Sequence, residues 1–425
     1  MTTIQSNSIT NNTCAMDDRP IPVAQACGYL LEQAHSVNET ELVTLNKALG
    51  RVLAVPIISP IDLPVWDQSA MDGYAINSAD LTANQTDWSI SQRIAAGQAS
   101  APLLPHTTAR IFTGAPLPIG ANTVIVQEAC QVNDNRMQLI DSTMSAAIKP
   151  GANVRRRGED VANGQTLITP GTRLQPQHLA LIAAVGIDAI SVYRRVRVAI
   201  IASGDELVPP GQSLNAGQIY NSNSTLLTGL LTQLECDVLE CGQVNDNRAA
   251  TELLLTQAAA NADLVIVSGG VSVGDEDHVR PAIAQLGTVE LTQVAMRPGK
   301  PLVFGHIGTT PILATPGNPV SLFVTFHLFA RPLILVMQGI LGIVTPPTIP
   351  ARAAFNWSKP DKRCEYHRAR LEWTDAGQAM VQVFPSRSSA AITSLTWANG
   401  LVMIPPHTTL IEGDAVTFLP FYSPL

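Results

Sequence analysis

The stretch DLVIVSGGVSVGDED, residues 263–277, decides the fold. Its apolar, β-branched start, residues 264–267, reads as a buried strand, and it opens into a glycine-rich loop that closes on three consecutive acids. In open α/β sheets, ligands sit beyond the carboxyl ends of the strands, where glycines let backbone N–H groups approach an anion. Gly269, Gly270 and Gly274, with Ser268 before them, are placed to cradle a phosphate. Asp275, Glu276 and Asp277 could hold a divalent cation against it. Taken alone, the loop reads equally well as a solvated turn after a core strand.

The neighbouring sequence weighs on that choice. Strands are expected at residues 196–202, 238–241, 302–304 and 312–314. Between them lie a helical face (Leu226, Leu227, Leu230, Leu231, Leu234), a helix over 249–260, another over 279–286, and a last one starting near Pro319. This alternation predicts a doubly wound, mostly parallel α/β sheet covered on both faces. Polar residues fall where the strands end: SGDE at 203–206, Asn245 and Asp246, the SGGVSVGDED loop, and TPGNP at 315–319. One crevice would then collect Asp205, Glu206, Asp246, Asp275 and Asp277. Carboxylates so crowded repel one another, which calls for a bound metal or cationic neighbours. Oxygen ligands suit magnesium, which is commonly shared with substrate phosphates. Arg297 and Lys300, in MRPGKP, supply positive charge.

The flanks have a different texture. Val23, Leu30, Leu31 and Ala34 recur at helical spacing, and Leu42, Leu45 and Leu49 before Gly50 predict a second helix. Residues 55–154 are rich in Pro, Gly and short β-branched runs, which predicts a β-rich subdomain or arm inside an N-terminal region spanning 21–190. Within it, Asp72 is either a carboxylate presented by a tight turn or an Asx-turn residue bonding its own backbone. Thr113, before Gly114, is either an anion donor or an ordinary turn residue. RRRGED, residues 155–160, is a solvated loop or else an anion or interface site with Glu159 and Asp160 as counter-charges. A short helix over 178–185 leads into the α/β domain, residues 191–340. The Pro-rich TPPTIPA, residues 345–351, is a linker. Alternating runs at 366–373 and 380–384, a turn at 375–377 and a strand pair around 412–414 predict a small antiparallel C-terminal β-barrel over 346–425. Arg363, Arg368, Ser388 and Ser389 are its candidate substrate contacts.

Composition narrows the function classes. A length of 425 residues allows about three domains, and a formal net charge of −8 argues against nucleic acid or an anionic membrane as main partner. The six cysteines are scattered without a C-x-x-C pair, which indicates neither a zinc site nor a disulfide framework and fits a reducing, cytoplasmic setting. The polar first 20 residues read as a disordered tail rather than a signal peptide. The longest apolar run, taken as 333–344, is too short and interrupted to span a bilayer.

MDGYA (71–75), FTGAP (112–116), RRRGED, SGDEL, SGGVSVG, RPGKP and TPGNPVS, in this order and spacing, resemble the molybdopterin molybdenumtransferase family, of the MoeA and gephyrin E-domain type. The resemblance runs from about Ile21 to the C-terminus. It implies an elongated, four-domain homodimer whose active site lies between the α/β domain of one subunit and the β-rich arm of the other. It also implies the reaction: adenylylated molybdopterin and molybdate are taken up, AMP is released with the help of magnesium, and molybdenum is left on the dithiolene as molybdenum cofactor. By resemblance, Asp72, Thr113 and Asp160 come from one subunit, and Glu206, Asp246, Asp277, Lys300, Pro316 and Pro319 from the other. Asp246 and Asp277 hold the metal in this reading. Ser268, Gly269, Gly270, Arg297, Arg368 and Ser389 complete the substrate-binding set. Arg297 stands where many members have Lys, and His278 where an aromatic residue is common. A molybdopterin adenylyltransferase, an expected partner, shares the α/β domain but lacks MDGYA and RRRGED. A receptor-clustering scaffold, as in the gephyrin branch, would not need Asp72, Glu206, Asp246 and Asp277 all intact.

Overall fold

The computed structural model describes residues 19–81, 87–141, 143, 145, 147–244, 247–271 and 277–421. The predicted N-terminal tail lies almost wholly outside them, as do Asp246, Gly274, Asp275 and Glu276.

The α/β domain contains β1 (Arg197–Ser203), α1 (Ser222–Gln233), β2 (Asp237–Val244), α2 (Arg248–Asn261), β3 (Leu264–Ser268), α3 (Val279–Leu286), β4 (Thr288–Gln293), β5 (Pro301–Ile307), β6 (Thr310–Thr315) and α4 (Pro319–Thr325). The six strands lie in the order β2-β1-β3-β6-β5-β4. β2, β1, β3 and β6 run parallel, while β5 and β4 add an antiparallel edge. Every residue of β3 is buried, as a strand covered on both faces requires. The expected doubly wound sheet is therefore present, and its order reverses at β1 and β3.

Asp263 anchors the amino end of β3. Its carboxylate accepts from Arg194 at 2.6 and 2.9 Å and from the Arg197 backbone N–H at 2.8 Å. Burial alone would raise this acid, but the hydrogen bonds from Arg194 and Arg197 outweigh it and hold it at about 2. A folded-state value below the unfolded one of about 3.9 contributes stability that is present above pH ~4 and is lost as pH falls towards 2. Denaturant titration at pH 5 and pH 3 should therefore show a larger acid loss in the wild type than in Asp263→Asn.

A continuous helical run, Pro319–Met337, includes a π-helical stretch, Phe326–Ala330. It is longer and more apolar than the 333–344 run read from sequence; length and composition would let it cross a membrane, yet 89% of it is buried inside the protein. Its Val320, Leu322, Phe326, Phe329 and Leu333 share one core with Leu30 of the helix Val23–Glu32 and with Tyr366, Leu401 and Leu419. This helix joins the α/β domain to both ends of the chain.

The predicted second helix is corrected. Thr40–Thr44 is a strand, paired antiparallel with Ala189–Tyr193, and a 3-10 turn, Leu45–Lys47, follows it. Leu42 and Leu49 are 75% and 52% exposed, so the leucines share no buried face. The β-branched Thr40, Val43 and Thr44 suit the strand, and the pairing with Ala189–Tyr193 decides it.

In the β-rich arm, a six-stranded sheet runs Thr123–Val126, Gly73–Ile76, Thr107–Ile111, Asp87–Ile94, Arg136–Leu139, Cys130–Asn133. Gly73 lies opposite Ile111, so the turns before and after these two strands meet at one end of the sheet. At the other end of the chain, Cys364–Trp373, Ala379–Val383, Ile349–Ala353, Ala415–Pro420 and Gly400–Ile404 pair in a ring, the expected barrel. Met296–Arg297 leaves the α/β domain to add a parallel strand at Cys364–Glu365.

Candidate active site

The crevice opens at the carboxyl ends of β1, β3 and β6, where a doubly wound sheet binds ligands. Gly269 follows β3 with φ +95°, in the left-handed region, and a Cβ there would lie 2.5 Å from the Ser203 carbonyl oxygen. Its N–H donates to Thr315 O at 3.0 Å, which joins the loop after β3 to the loop after β6. Gly269, Gly270, Glu206, Asp277, Pro301 and Pro316 line a cleft of about 320 Å³. Beside it, under the short parallel strand pair Leu207–Val208 and Ile219–Tyr220, is a chamber of about 310 Å³ that shares Ser203, Glu206, Gly317 and Asn318 with the cleft. Lys300 and Arg280 line a smaller hollow of about 130 Å³, which shares Val271 and Pro301 with the cleft.

Of the five acids expected here, Glu206 and Asp277 line the cleft and Asp205 lies exposed between β1 and Leu207–Val208; Asp246 and Asp275 lie outside the described residues. Among the described residues, no group of three or more metal-type ligands converges. The Glu206 carboxylate folds back over Gly204, where a Cβ would lie 2.4 Å from Oε2 and φ is +143°. Gly204→Ala should thus keep the fold, at a cost of about 1–3 kcal/mol of backbone strain, while displacing Glu206. A thermal melt near the wild type's together with a kcat reduced at least tenfold is the expected pair of results.

Asp72 and Thr113 come together. The Asp72 carboxylate accepts from the Thr113 N–H at 2.8 Å and from its hydroxyl at 2.7 Å, so it bonds the facing turn rather than its own backbone. These two bonds, backbone first, lower its pKa. Both residues sit on the arm with Asp160, and none of the three lines the α/β cleft.

The counter-charges of RRRGED are corrected. Arg156 pairs with Asp67 at 2.6 Å and Arg157 with Asp62 at 2.6 Å. Glu159 instead accepts the Arg156 backbone N–H at 2.7 Å, and Asp160 is exposed. Asp62 and Asp67 lie some 90 residues from the arginines in sequence, so local patterning gave no signal for them.

Arg368 is buried instead of lying on the barrel surface. It is 1% exposed, and its guanidinium donates to Ser386 O at 2.6 Å, Ser388 O at 3.0 Å and Ser394 Oγ at 2.9 Å. Burial lowers it to about 10. It holds the 386–391 loop, whose Ser389 carbonyl accepts from the Val320 N–H, one residue after Pro319. Ser389 is thereby brought to the margin of the chamber that Pro319 lines. Arg297 donates to Asp361 at 3.0 Å, and Arg363 pairs with the same acid. Hydrogen bonds from Arg363 first, then Arg297, hold Asp361 well below the usual carboxylate range. Lys300, by contrast, is exposed, and its ammonium has no hydrogen-bond or ion-pair partner among the described residues.

Sequence reading missed Asn223. At the start of α1, its Nδ2 donates to Ser268 Oγ at 2.8 Å and to Gly317 O at 2.7 Å, clamping the loops after β3 and β6. The cluster NSNS at 221–224 reads as a helix cap, which Asn221 supplies.

Three domain families match in order: MoeA N-terminal region (domain I and II) over residues 21–186, Probable molybdopterin binding domain over 199–335, and MoeA C-terminal region (domain IV) over 350–421. The molybdopterin molybdenumtransferase of Haemophilus influenzae is 37% identical over 399 residues, covering 93% of this chain and 98% of that protein. The chain belongs to the molybdopterin molybdenumtransferase family. A Nostoc member is 37% identical over 90% of this chain and 89% of its own. The crystal structure of a MoeA protein from Pyrococcus horikoshii superposes with a TM-score of 0.80 at 30% identity, covering 95% of this chain and all of that one. The molybdenumtransferase family match thus spans the arm, the α/β cleft and the barrel.

Proposed function

We propose that the protein is a transferase of molybdenum cofactor biosynthesis, which inserts molybdenum from molybdate into adenylylated molybdopterin and releases AMP. The observation that carries this reading is the cleft at the β1/β3 switch point: a glycine backbone beside two carboxylates, with Lys300 in the adjoining hollow, in a chain with family-length likeness to molybdenumtransferases. Cleaving a phosphoanhydride-type bond builds negative charge on the departing adenylate. The Gly270 N–H, which the side-chain-free Gly269 lets a phosphate approach, holds phosphate oxygens, and Lys300 offsets the charge from the adjoining hollow. Carboxylates beside a phosphate cradle fit magnesium, and Asp277 with Asp246 would hold it; bound there, it would neutralise phosphate charge. Glu206, on the border of cleft and chamber, orients the substrate.

The arm supports a shared site. Asp72 and Thr113 form a polar turn that lines neither the cleft nor the chamber of their own chain. In the proposed homodimer this turn, with Asp160, completes the partner's cleft. The molybdopterin adenylyltransferase, as donor of the adenylylated substrate, is the proposed partner, and the cytoplasm the proposed setting. Reconstitution tests the reading: purified protein, adenylylated molybdopterin, molybdate and magnesium should activate an apo-molybdoenzyme, and folded Asp277→Asn should not. Substrate binding without any activation would favour a carrier role and sink the proposal.

A further inference from the structure

We infer that the 310 Å³ chamber under the parallel strand pair 207–208/219–220 is the subsite for the pterin ring, with Glu206 as its hydrogen-bond acceptor and Tyr220 and Ile219 as its apolar rim. The inference rests on the proposed function and adds which half of the substrate goes where.

Charge is the first argument. Glu206 is the single charged side chain among the described residues that line the chamber, and it has no hydrogen-bond or ion-pair partner among them. An unpaired carboxylate repels phosphate and attracts N–H donors. A pterin edge offers an exocyclic amine beside a ring N–H, two parallel donors that match a carboxylate's two oxygens. An adenine edge alternates amine donor with ring-nitrogen acceptor, so one lone pair would face the carboxylate. Glu206 borders the adjoining cleft as well, but only there do the Gly270 backbone and, from the hollow that shares Val271 and Pro301, Lys300 offer donors that offset it, so phosphate belongs on that side.

Shape is the second. Ile219 and Tyr220 are 53% and 45% exposed yet line this polar chamber, an arrangement suited to one flat ring packed edge-in. The Tyr220 hydroxyl donates to Gln212 O at 3.0 Å, which fixes the phenol, and the Ile219 N–H donates to Glu206 O at 2.8 Å, which ties rim to acceptor. Asn223 holds the floor through Ser268 and Gly317, while its own Oδ1 is buried without a partner. Flipping the amide would leave the Gly317 carbonyl without a donor, so the orientation is set by the two loops it clamps.

Two binding titrations decide the matter without turnover: 6-hydroxymethylpterin, followed by its own fluorescence, and AMP, followed by calorimetry. Tyr220→Ala and Glu206→Gln should each weaken pterin binding at least tenfold, Tyr220→Phe should stay within about threefold of wild type, and AMP should be unaffected by Tyr220→Ala. Pterin that fails to bind the wild type, pterin binding unchanged in both variants, or AMP affinity lost with Tyr220 would each overturn the assignment. Loss of the subsite alone leaves wild-type cofactor formation intact, whereas failure of the proposed reaction shows as a wild type that makes no cofactor.

Discussion

Gly269→Ala is expected to eliminate turnover and to cost about 3 kcal/mol or more of stability, the sum of left-handed backbone strain and a clash with main chain. The added methyl would sit 2.5 Å from the Ser203 carbonyl, at the carboxyl end of the neighbouring strand, and no side-chain rotation relieves a contact with backbone. The β1 and β3 ends must part, which opens the crevice that holds the phosphates. Gly308→Ala is the matched control: φ is +61°, but nothing lies within 4 Å of the new methyl. There the cost should be about 1 kcal/mol, from backbone strain alone, with turnover unchanged. Urea denaturation and AMP release measured on both variants check the pair.

The second large effect is expected at Arg368→Met, which should cost about 3 kcal/mol or more, because it strands buried acceptors at about 1–3 kcal/mol each. The Ser386 and Ser388 carbonyls lose their donor, and the 386–391 loop loses its hold against Val320 at the start of α4. Lysine should not rescue it, since one ammonium cannot span acceptors that a planar guanidinium forks onto. Denaturation midpoints should fall for both variants, and KM for the pterin substrate should rise more than kcat falls if the loop only positions the site.

Much of the α/β domain was legible because its cues are local. The uninterrupted apolar run at 264–267, preceded by Asp263 and followed by Ser268 and two glycines, admits one reading in a sheet covered on both faces, and the acids follow the strands that present them. What stayed hidden depends on long-range contacts. The strand Thr40–Thr44 exists because Ala189–Tyr193 lies beside it, some 150 residues away. Arg368 looks like a surface cation, yet three acceptors from a later loop and helix draw it inward. Asn223 reads as a capping residue because nothing near it in sequence announces Ser268 and Gly317 as its partners. Asp72 was ambiguous for the same reason: the partner that resolves it, Thr113, is 41 residues on and arrives through strand pairing.

The most direct test of the proposed reaction is AMP release from adenylylated molybdopterin by the purified protein, with and without molybdate. Release that needs molybdate and magnesium, one AMP for each active cofactor formed, and that vanishes in Asp277→Asn is the predicted result. AMP release at the same rate without molybdate, or undiminished in the folded Asp277→Asn variant, would contradict it.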